Sequence, residues 1–572
     1  MKNLKTFAVF FLVAAFLVGC GGVNKMVKEA DVVGYTVTPE VLEMHGGEVD
    51  VTINVKYPSK YFNKKAIVTL TPVLKYEGGE KVLDPLMLQG EDVTENYQVI
   101  GYDVGGTAEH TFTFAYEDVM LRSELYFRIS GTVKDKTTEM GEIKIADGII
   151  ATSQLVSKEA KVVSFDDKFE QIVAEAYEAD IKYVINRANV RRSEMGKDEI
   201  TGLNETIAKA DANERVDLKG IEISAYASPD GELDLNTRLA DQRQKTADKY
   251  LQGQLKKAKV DVADSLMSML ATPEDWDGFK AAMEASDIQD KEMILRVLSM
   301  HSDPVVREQE IKNLTAAYEI IAEDILPQLR RSKFTVDMDK IGWSDEELKA
   351  HWDSNPDTLV LEELLYTATL YDDNETKLAI FSKAAEVAPN CLRAHNNKGV
   401  VEFEMGKVEE AAASFNTAKG LKDHDNINNN LGAVALSNDD VAGAKEAFTA
   451  SLGAGEDANY NLGIVNVIEG DYESASNYFG SEPSFNSALT KLLQGDADGA
   501  WRIAANLEEE SPQRSYLMAV IAANQDKPLE VFKNLKNAIE TCKDPQMVKD
   551  HAINDLEFAK LFEVEEFKAL VQ

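Results

Sequence analysis

Hydrophobic positions in the first part of the chain follow a period of two. In residues 49–55, apolar side chains at odd positions alternate with polar ones at even positions, which is typical of a strand with one buried face. The alternation recurs over residues 67–74, 111–116, 125–129 and 143–150. Short strands that are separated by glycine-rich turns and lack helical periodicity predict an all-β sandwich over residues 31–156.

The aromatic residues of this region have two interpretations. At strand spacing they form the core of an immunoglobulin-like sandwich, whereas on the surface they would form a platform for carbohydrate. Solvent exposure separates the two interpretations. The residues are Tyr57, Tyr61, Phe62, Phe112, Phe114, Tyr126 and Phe127.

The pattern changes in residues 221–251, where a strand, a turn and a helix follow one another. Residues 221–225 alternate, and the Pro and Gly of residues 228–231 predict a turn. Asn236, Leu239 and Arg243 then have the spacing of one helix face. This arrangement directs an amide and a guanidinium back toward the turn, where a guanidinium fork suits a small anionic group.

This stretch resembles the peptidoglycan-binding module at the C-terminus of OmpA-like proteins. Gly231, Asn236, Leu239 and Arg243 match the family pattern, whereas Ser228 stands where the family has aspartate. The resemblance implies a central α/β domain over residues 157–345. OmpA-like proteins of Bacteroidota-type bacteria also resemble this chain in residues 227–231 and 326–331.

The resemblance also implies a candidate wall-binding site at Ser228, Asp230, Asn236 and Arg243. In the family, the Asp and the Arg hold the zwitterionic end of diaminopimelate in the stem peptide. Ser228 lacks that negative charge, and Asp230 is a candidate substitute two residues away. The alternative interpretation is that Asn236 buttresses the turn and Arg243 pairs with a neighbouring acid.

Further elements of this domain are predicted from their periodicity. We expect a linker helix over residues 165–178, a first strand over 180–185 and a first helix over 199–212. A mostly helical insertion over about 260–330 should follow residues 221–251. Residues 332–336 should then form the closing strand.

A repeat of about 34 residues, typical of tetratricopeptide repeats, occupies the rest of the chain. Small residues and phenylalanine recur at fixed offsets, which allows paired helices to approach closely with an aromatic ring between them. The pattern resembles tetratricopeptide repeats and predicts an all-α solenoid over residues 346–572, with a capping helix pair over 552–571. The recurring residues are Gly399, Ala411, Phe415 and Ala418, then Gly432, Ala444, Phe448 and Ser451, then Gly463, Ala475 and Phe479.

Asn397, Asn430 and Asn461 occupy equivalent positions in successive repeats and are candidates for a peptide-binding groove. They are either a ladder for a peptide backbone or local hydrogen-bonding residues within each repeat. Asp457 and Asn461 stand where some members of the family have cations that clamp a carboxylate. A basic or neutral partner therefore suits this groove better than a C-terminal carboxylate.

The first residues resemble the leader of bacterial lipoproteins. Lys2 and Lys5 precede an apolar run that ends in Leu-Val-Gly-Cys20. The resemblance implies a signal peptide over residues 1–19, acylation of Cys20, and a tether over residues 20–30. An ordinary secretory signal followed by a stray cysteine is the alternative. We expect lipid anchoring to the outer membrane, with the periplasmic face favoured over the cell surface.

Charge and motif content limit the function classes. The net charge of −38 would repel a phosphate backbone, so nucleic acid is not an expected partner. The seven histidines are scattered, without an HExxH or a nucleophile elbow, so we expect no enzyme activity, cofactor or metal. Sequence leaves open whether Cys391 and Cys542 form a disulfide.

Together these patterns predict a non-enzymatic scaffold that links the outer membrane to peptidoglycan and recruits protein partners through its repeats. One alternative is a recruitment factor for assembly or export of surface proteins, without wall binding. Another is a surface lipoprotein that binds glycans. The wall-linking scaffold requires an open notch at Arg243. The recruitment factor requires an exposed groove, and the glycan-binding lipoprotein requires exposed aromatic rings.

Overall fold

The computed structural model describes residues 23–289, 291–313, 315–508 and 510–572, so Cys20 and the predicted signal peptide lie outside the described residues. The chain forms two compact units. Unit 1 contains the residues up to Asp166 together with Asp373–Gln572, and unit 2 is Asp167–Asp372. Residues 157–166, predicted within the central domain, thus belong to unit 1, and residues 346–372, predicted within the repeats, belong to unit 2.

The N-terminal part of unit 1 is rich in β-strands, which cover each stretch of alternating residues. A short helix, α1 (Asn24–Lys28), precedes them. Val23 and Met26 are buried in the core of this region, so the tether predicted over residues 20–30 is wrong from residue 23 onward. The strands are β1 (Gly34–Thr38), β2 (Val41–His45), β3 (Glu48–Tyr57), β4 (Ala66–Tyr76), β5 (Gly79–Val82), β6 (Leu86–Gly90), β7 (Gln98–Ile100), β8 (Gly106–Ala115), β9 (Ser123–Val133) and β10 (Lys136–Ile150).

Two sets of strands enclose one hydrophobic core in this region. In the first set β3 pairs with β1 and β8, and in the second β9 lies between β10 and β4. Strand β2 pairs with both β3 and β10 and joins the sets. The core contains alternate residues of both, with Val51 and Ile53 from β3 and Leu70 and Phe127 from the second set.

Burial favours the core interpretation of the aromatic residues. Tyr57, Tyr61, Phe62, Phe114 and Phe127 are buried, whereas Phe112 and Tyr126 are half-buried. Most of the rings that a glycan platform would require are therefore inside the sandwich.

Unit 2 is a four-stranded sheet with helices. Its strand order is β11-β14-β12-β13, with β13 parallel to β12 and the other two pairs antiparallel. The elements are β11 (Ile172–Lys182), α2 (Arg192–Met195), α3 (Asp198–Ala212), β12 (Val216–Tyr226), α4 (Leu233–Ala258), β13 (Met267–Thr272), α5 (Trp276–Ala285), α6 (Lys291–Ser299), α7 (Pro304–Asn313), α8 (Thr315–Ile320), a π-helical turn (Ile321–Ile325), α9 (Leu326–Leu329), β14 (Arg331–Ile341), α10 (Asp345–Ser354) and α11 (Leu361–Thr369).

Two local predictions for this region, the linker helix and the bounds of the first strand, are wrong. The linker helix predicted over 165–178 is extended chain followed by β11, because pairing with β14 satisfies this backbone better than a helix without tertiary support. The first strand therefore ends at Lys182 instead of residue 185. The insertion is mostly helical, as predicted, although β13 extends the sheet beside β12 before its helices begin. The closing strand predicted over residues 332–336 is confirmed as β14, which lies in the interior of the sheet between β11 and β12.

The C-terminal part of unit 1 is a series of antiparallel helix pairs, followed by a short 3-10 helix and α24 where a helix pair was predicted. The helices are α12 (Asn374–Val387), α13 (Leu392–Glu404), α14 (Val408–Leu421), α15 (Asp425–Ser437), α16 (Val441–Thr449), α17 (Glu456–Ile468), α18 (Tyr472–Phe479), α19 (Phe485–Leu493), α20 (Ala497–Ala505), α21 (Pro512–Asn524), α22 (Pro528–Thr541), α23 (Pro545–Asn554), the 3-10 helix Leu556–Leu561 and α24 (Glu565–Val571).

Close approach of glycine to phenylalanine sets the geometry of the repeats. A Cβ atom on Gly432 would lie 2.6 Å from the ring of Phe448, so any larger residue would push the two helices of the pair apart. The same contact recurs between Gly399 and Phe415 and between Gly463 and Phe479. The prediction of tetratricopeptide-type helix pairs in this register is confirmed.

The sandwich packs directly on the helical repeats within unit 1. Arg122 donates to the carbonyl of Ile553 (3.0 Å), and Thr152 donates to Glu557. The turn between β2 and β3 also approaches the repeats closely, because a Cβ atom on Gly46 would lie 2.6 Å from the carbonyl oxygen of Glu469. These contacts join segments that are hundreds of residues apart into one unit.

Substitution of Gly46 tests this packing, with Gly47 as the matched control. Both residues have positive φ angles, 59° and 81°, and alanine at either should cost about 1–2 kcal/mol of left-handed strain. Nothing lies within 4 Å of a Cβ atom on Gly47. We therefore expect Gly46→Ala to lower the free energy of unfolding by more than Gly47→Ala does, as measured by chemical denaturation. Equal losses would contradict the packing of this turn on Glu469.

Candidate functional site

Four asparagines line one face of the repeats, the predicted groove, one from the first helix of each of four pairs. Asn397, Asn430, Asn461 and Asn486 lie on α13, α15, α17 and α19. Each of the first three stands two residues before a glycine that receives a phenylalanine ring. Because two residues correspond to a rotation of about 200° on a helix, a residue in this position faces away from its paired helix. The repeat pattern therefore aims these amides into the groove.

An extended segment of the same chain, residues 157–166, lies along this groove; we call it the strap. The amide N–H of Phe165 donates to Asn397 Oδ1 (2.8 Å), and Asn397 Nδ2 donates back to the Phe165 carbonyl (2.8 Å). Asn430 makes the same pair of bonds with Val163, at 2.7 and 2.8 Å. The strap thus runs in the opposite direction to the repeats.

The next two asparagines continue this pattern toward the N-terminal end of the strap. Asn461 binds both backbone groups of Lys161 at 2.8 Å, and Asn486 binds those of Ser157 at 2.9 Å. Each carboxamide therefore supplies one donor and one acceptor to a single strap residue. We call these four asparagines and the two described next the asparagine ladder.

Asn396 and Asn429 form a second row that supports the first. Asn396 Nδ2 donates to the Val163 carbonyl (3.0 Å), and Asn429 Nδ2 donates to the Lys161 carbonyl (2.8 Å). Their oxygens accept from the following repeat, since Asn430 donates to Asn396 and Asn461 donates to Asn429. The rows form a connected network between neighbouring repeats.

Because the ladder side chains are buried, the loss of any one of these hydrogen bonds would be costly in free energy. All six ladder side chains are at most 4% exposed. A buried amide that loses its partner carries a desolvation cost of about 1–3 kcal/mol, so an empty groove would have to admit water or another backbone. The groove is therefore built to hold an extended main chain.

The charged and aromatic side chains of the strap contact acidic and aromatic residues of the repeats. The Lys161 ammonium lies 3.6 Å from Asp457 and 4.7 Å from the centre of the Tyr460 ring. The Phe165 ring packs edge-on against His424, with ring centres 4.7 Å apart. These contacts supply one cationic and one aromatic subsite beside the ladder.

A second cationic contact lies at the N-terminal end of the strap. Lys158 pairs with Asp439 at 2.6 Å, and this hydrogen bond lowers the pKa of the Asp439 carboxyl. Because both side chains are exposed, the pair contributes little to stability, and it favours a lysine at this position mainly by charge.

The structure brings together the three groove residues predicted from the sequence, Asn397, Asn430 and Asn461, around one backbone. Sequence reasoning missed the strap itself, and also Asn396, Asn429 and Asn486. The doublet Asn396-Asn397 recurs as Asn429-Asn430, and this repetition was the available signal for the second row. Asp457, expected to disfavour a carboxylate ligand, pairs instead with Lys161.

Arg243, the principal residue of the predicted wall-binding notch, is buried in unit 2 and only 1% exposed. Its Nη1 donates to the Tyr226 carbonyl (2.7 Å) and its Nε to the Arg187 carbonyl (3.1 Å). The guanidinium lies 5.1 Å from the centre of the Tyr183 ring. Burial lowers the pKa of Arg243 to about 10. Its partners are backbone carbonyls instead of the neighbouring acid of the alternative interpretation.

The other notch residues are also engaged within unit 2. Asn236 donates to the carbonyls of Ser228 (3.0 Å) and Gly231 (2.9 Å) and so buttresses the turn. Arg330 reaches the same turn, where its Nε donates to Ser228 Oγ (3.2 Å) and its Nη2 lies 3.5 Å from Asp230. An arginine of the chain itself thus occupies the place beside Ser228 and Asp230.

Two further features of the described residues bear on chemistry. No cluster of three or more His, Cys, Asp or Glu side chains among them could hold a metal ion, and Cys391 and Cys542 are free thiols. In the same part of the chain, no helix is long and apolar enough to cross a membrane.

Comparison with solved structures gives similarity to tetratricopeptide repeat proteins. One is from Parabacteroides merdae, with 17% identity and a TM-score of 0.30, covering 37% of this chain and 91% of that chain. PilW, a widely conserved type IV pilus biogenesis factor, has 18% identity, covers 35% and 91%, and has a TM-score of 0.27. YrrB, a repeat protein with an unusual peptide-binding site, has 20% identity, covers 36% and 98%, and has a TM-score of 0.21. No family model and no curated protein matches the chain.

Substitution of Arg243 separates a structural role from wall binding, with the exposed Arg238 of the same helix as control. Arg243→Ala leaves two buried carbonyls without their charged donor, and we expect it to lower the free energy of unfolding of unit 2 by about 1.5–3 kcal/mol. Arg238→Ala should change it by less than about 0.5 kcal/mol. Titration of the full chain with purified muropeptides should give the same result for both variants. Muropeptide binding that Arg243→Ala abolishes without lowering the free energy of unfolding would contradict the structural role.

Proposed function

We propose that this protein is a non-enzymatic scaffold of the bacterial envelope that recruits another polypeptide through its helical repeats. The observation that carries the proposal is the asparagine ladder, which holds an extended main chain through paired hydrogen bonds. Backbone recognition of this kind supplies affinity without dependence on side-chain identity, while adjacent subsites supply specificity. A groove with these properties suits an extended segment of a partner protein.

The acidic character of the groove supports a basic partner. Asp439 and Asp457 both pair with lysines of the strap, and the whole chain has a net charge of −38. Long-range attraction would bring a cationic segment to this surface and would repel an acidic one.

The proposal places the protein at the outer membrane, anchored through acylated Cys20 and with its body in the periplasm. Its support is the basic and apolar leader that ends in Leu-Val-Gly-Cys20. Val23 and Met26 are buried in the core of the β-rich region, so only residues 20–22 would separate the lipid anchor from the folded part of unit 1. Assembly or export of surface proteins is a process in which such an anchored recruitment factor would act.

The expected link to peptidoglycan through an OmpA-like domain has weaker support. Arg243 is buried and donates to backbone carbonyls, and Arg330 lies beside Ser228 and Asp230. A stem-peptide carboxylate would have to displace both arrangements. We therefore rest the proposed function on the repeats.

Site-specific photocrosslinking in intact envelopes tests the recruitment of a polypeptide. Asn477 is exposed and lines an open cavity beside Lys161, whereas Glu410 is an exposed residue of α14 and serves as the control. We expect a photoreactive residue at position 477 to form adducts with another protein, and one at position 410 to form none. The protein should then be purified from the same envelopes and tested for bound proteins and for bound muropeptides.

Equal adducts from both positions, or none from position 477, would contradict recruitment through the groove. Retention of muropeptides without protein adducts would favour the wall-linking alternative instead.

A further inference from the structure

The strap shows which features of an extended segment the groove recognises. The ladder contacts main-chain groups of residues 157, 161, 163 and 165, while charged and aromatic subsites contact the side chains of Lys158, Lys161 and Phe165. Between these positions, Val162 packs against the hydrophobic cores of the repeats. The recognised pattern is therefore a lysine, an apolar residue directly after it, and an aromatic ring four residues after the lysine.

The strap fits one end of the groove better than the other. Asn397, Asn430 and Asn461 bind alternate strap residues, which is the regular spacing of an extended chain. Between Lys161 and Ser157, however, three residues pass without a ladder contact. An open cavity, lined by Lys161, Tyr460, Tyr478 and Ser484 among others, lies beside this interruption. A segment that continued the regular spacing would gain contacts that the strap does not make.

The strap also lies at the surface of the groove. Lys158, Glu159, Lys161, Ser164 and Asp166 are all exposed, and its other residues are only half-buried. Local opening requires few buried apolar contacts, so the strap has the character of a segment that can leave while the helix pairs stay folded. The ladder, by contrast, lies on the folded helices, and when the strap leaves it is open to water or to another backbone.

We infer that the strap is a resident competitor for the groove, and that the partner recruited there presents an extended basic segment with the same lysine–apolar–aromatic pattern. This inference rests on the proposed function and adds the chemistry of the partner and the regulation of its site. Because the strap is tethered at both ends, its effective concentration at the groove is high. A partner segment must therefore fit the groove better than the strap does. Its apparent affinity is its intrinsic affinity multiplied by the fraction of chains in which the strap is open.

Weakening the strap at a single backbone contact tests the competition. In Val163→Pro the N–H that donates to Asn430 is removed, while the carbonyl that accepts from Asn396 and Asn430 is kept. Ser164→Pro is the matched control, because the Ser164 amide donates to none of the ladder asparagines. The probe is a fluorescent peptide of residues 157–166, titrated into the full-length protein.

We expect Val163→Pro to bind the probe about tenfold more tightly than wild type does, the equivalent of one lost buried hydrogen bond. Ser164→Pro should bind it as wild type does. A probe that carries Lys161→Glu should lose most of this affinity in the Val163→Pro protein, because Asp457 would repel it. Equal affinity of the three proteins for the probe, or equal affinity for both probes, would overturn the inference.

Hydrogen exchange of the wild-type protein supplies a second measurement that needs no variant. The amides of Lys161, Val163 and Phe165 should exchange much faster than those of α15 and α17, through openings that leave the helices folded. If these three amides exchange only in global unfolding, the strap is a permanent part of unit 1 and the inference fails. The proposed function fails separately, in the envelope crosslinking, so the two failures can be distinguished.

Discussion

The carboxamide of asparagine takes the place of a neighbouring β-strand for the strap. An extended backbone outside a sheet must find a donor and an acceptor for each of its buried peptide groups. One asparagine side chain supplies both, and four of them, on the first helices of successive pairs, bind residues 157, 161, 163 and 165. The repeats thus bind main chain as a sheet edge does, although they are entirely helical in this part.

The architecture of unit 1 follows from this interaction. Ser157 and Asn486 are 329 residues apart in sequence, and the strap brings the β-rich region and the repeats together around one line of hydrogen bonds. Direct contacts of the sandwich with the last helices, at Arg122 and Thr152, add to the same association. The groove is therefore part of what joins the two ends of the chain, as well as a surface where a partner can bind.

Local periodicity predicts much of this fold. Alternation located the strands of the sandwich, and the offsets between Gly432 and Phe448 gave the register of the repeats, because both patterns reflect contacts with near neighbours in the chain. It failed for residues 165–178, where spacing compatible with a helix belongs to extended chain and β11. There the outcome depends on distant segments, β14 and the ladder, which no local pattern contains.

The two candidate sites show the same limit. The equivalent positions of Asn397, Asn430 and Asn461 were visible in the sequence, but the segment that they bind lies more than 230 residues away. For Arg243, the motif predicted the correct helix face but gave no information about the residues that surround the side chain. Whether that face opens to solvent depends on Tyr183, Arg187 and Arg330, and pairwise spacing near Arg243 carries no information about them.

A double-mutant cycle between the ladder and the strap tests the central claim most directly. The free energy of unfolding of unit 1 would be measured in the full chain for wild type, Asn430→Ala, Val163→Pro and the double variant. If Asn430 binds the Val163 backbone, removal of either partner leaves little for the second change to remove, and the double variant should be more stable than additivity predicts by about 1 kcal/mol or more. Strict additivity of the two single changes would contradict the account.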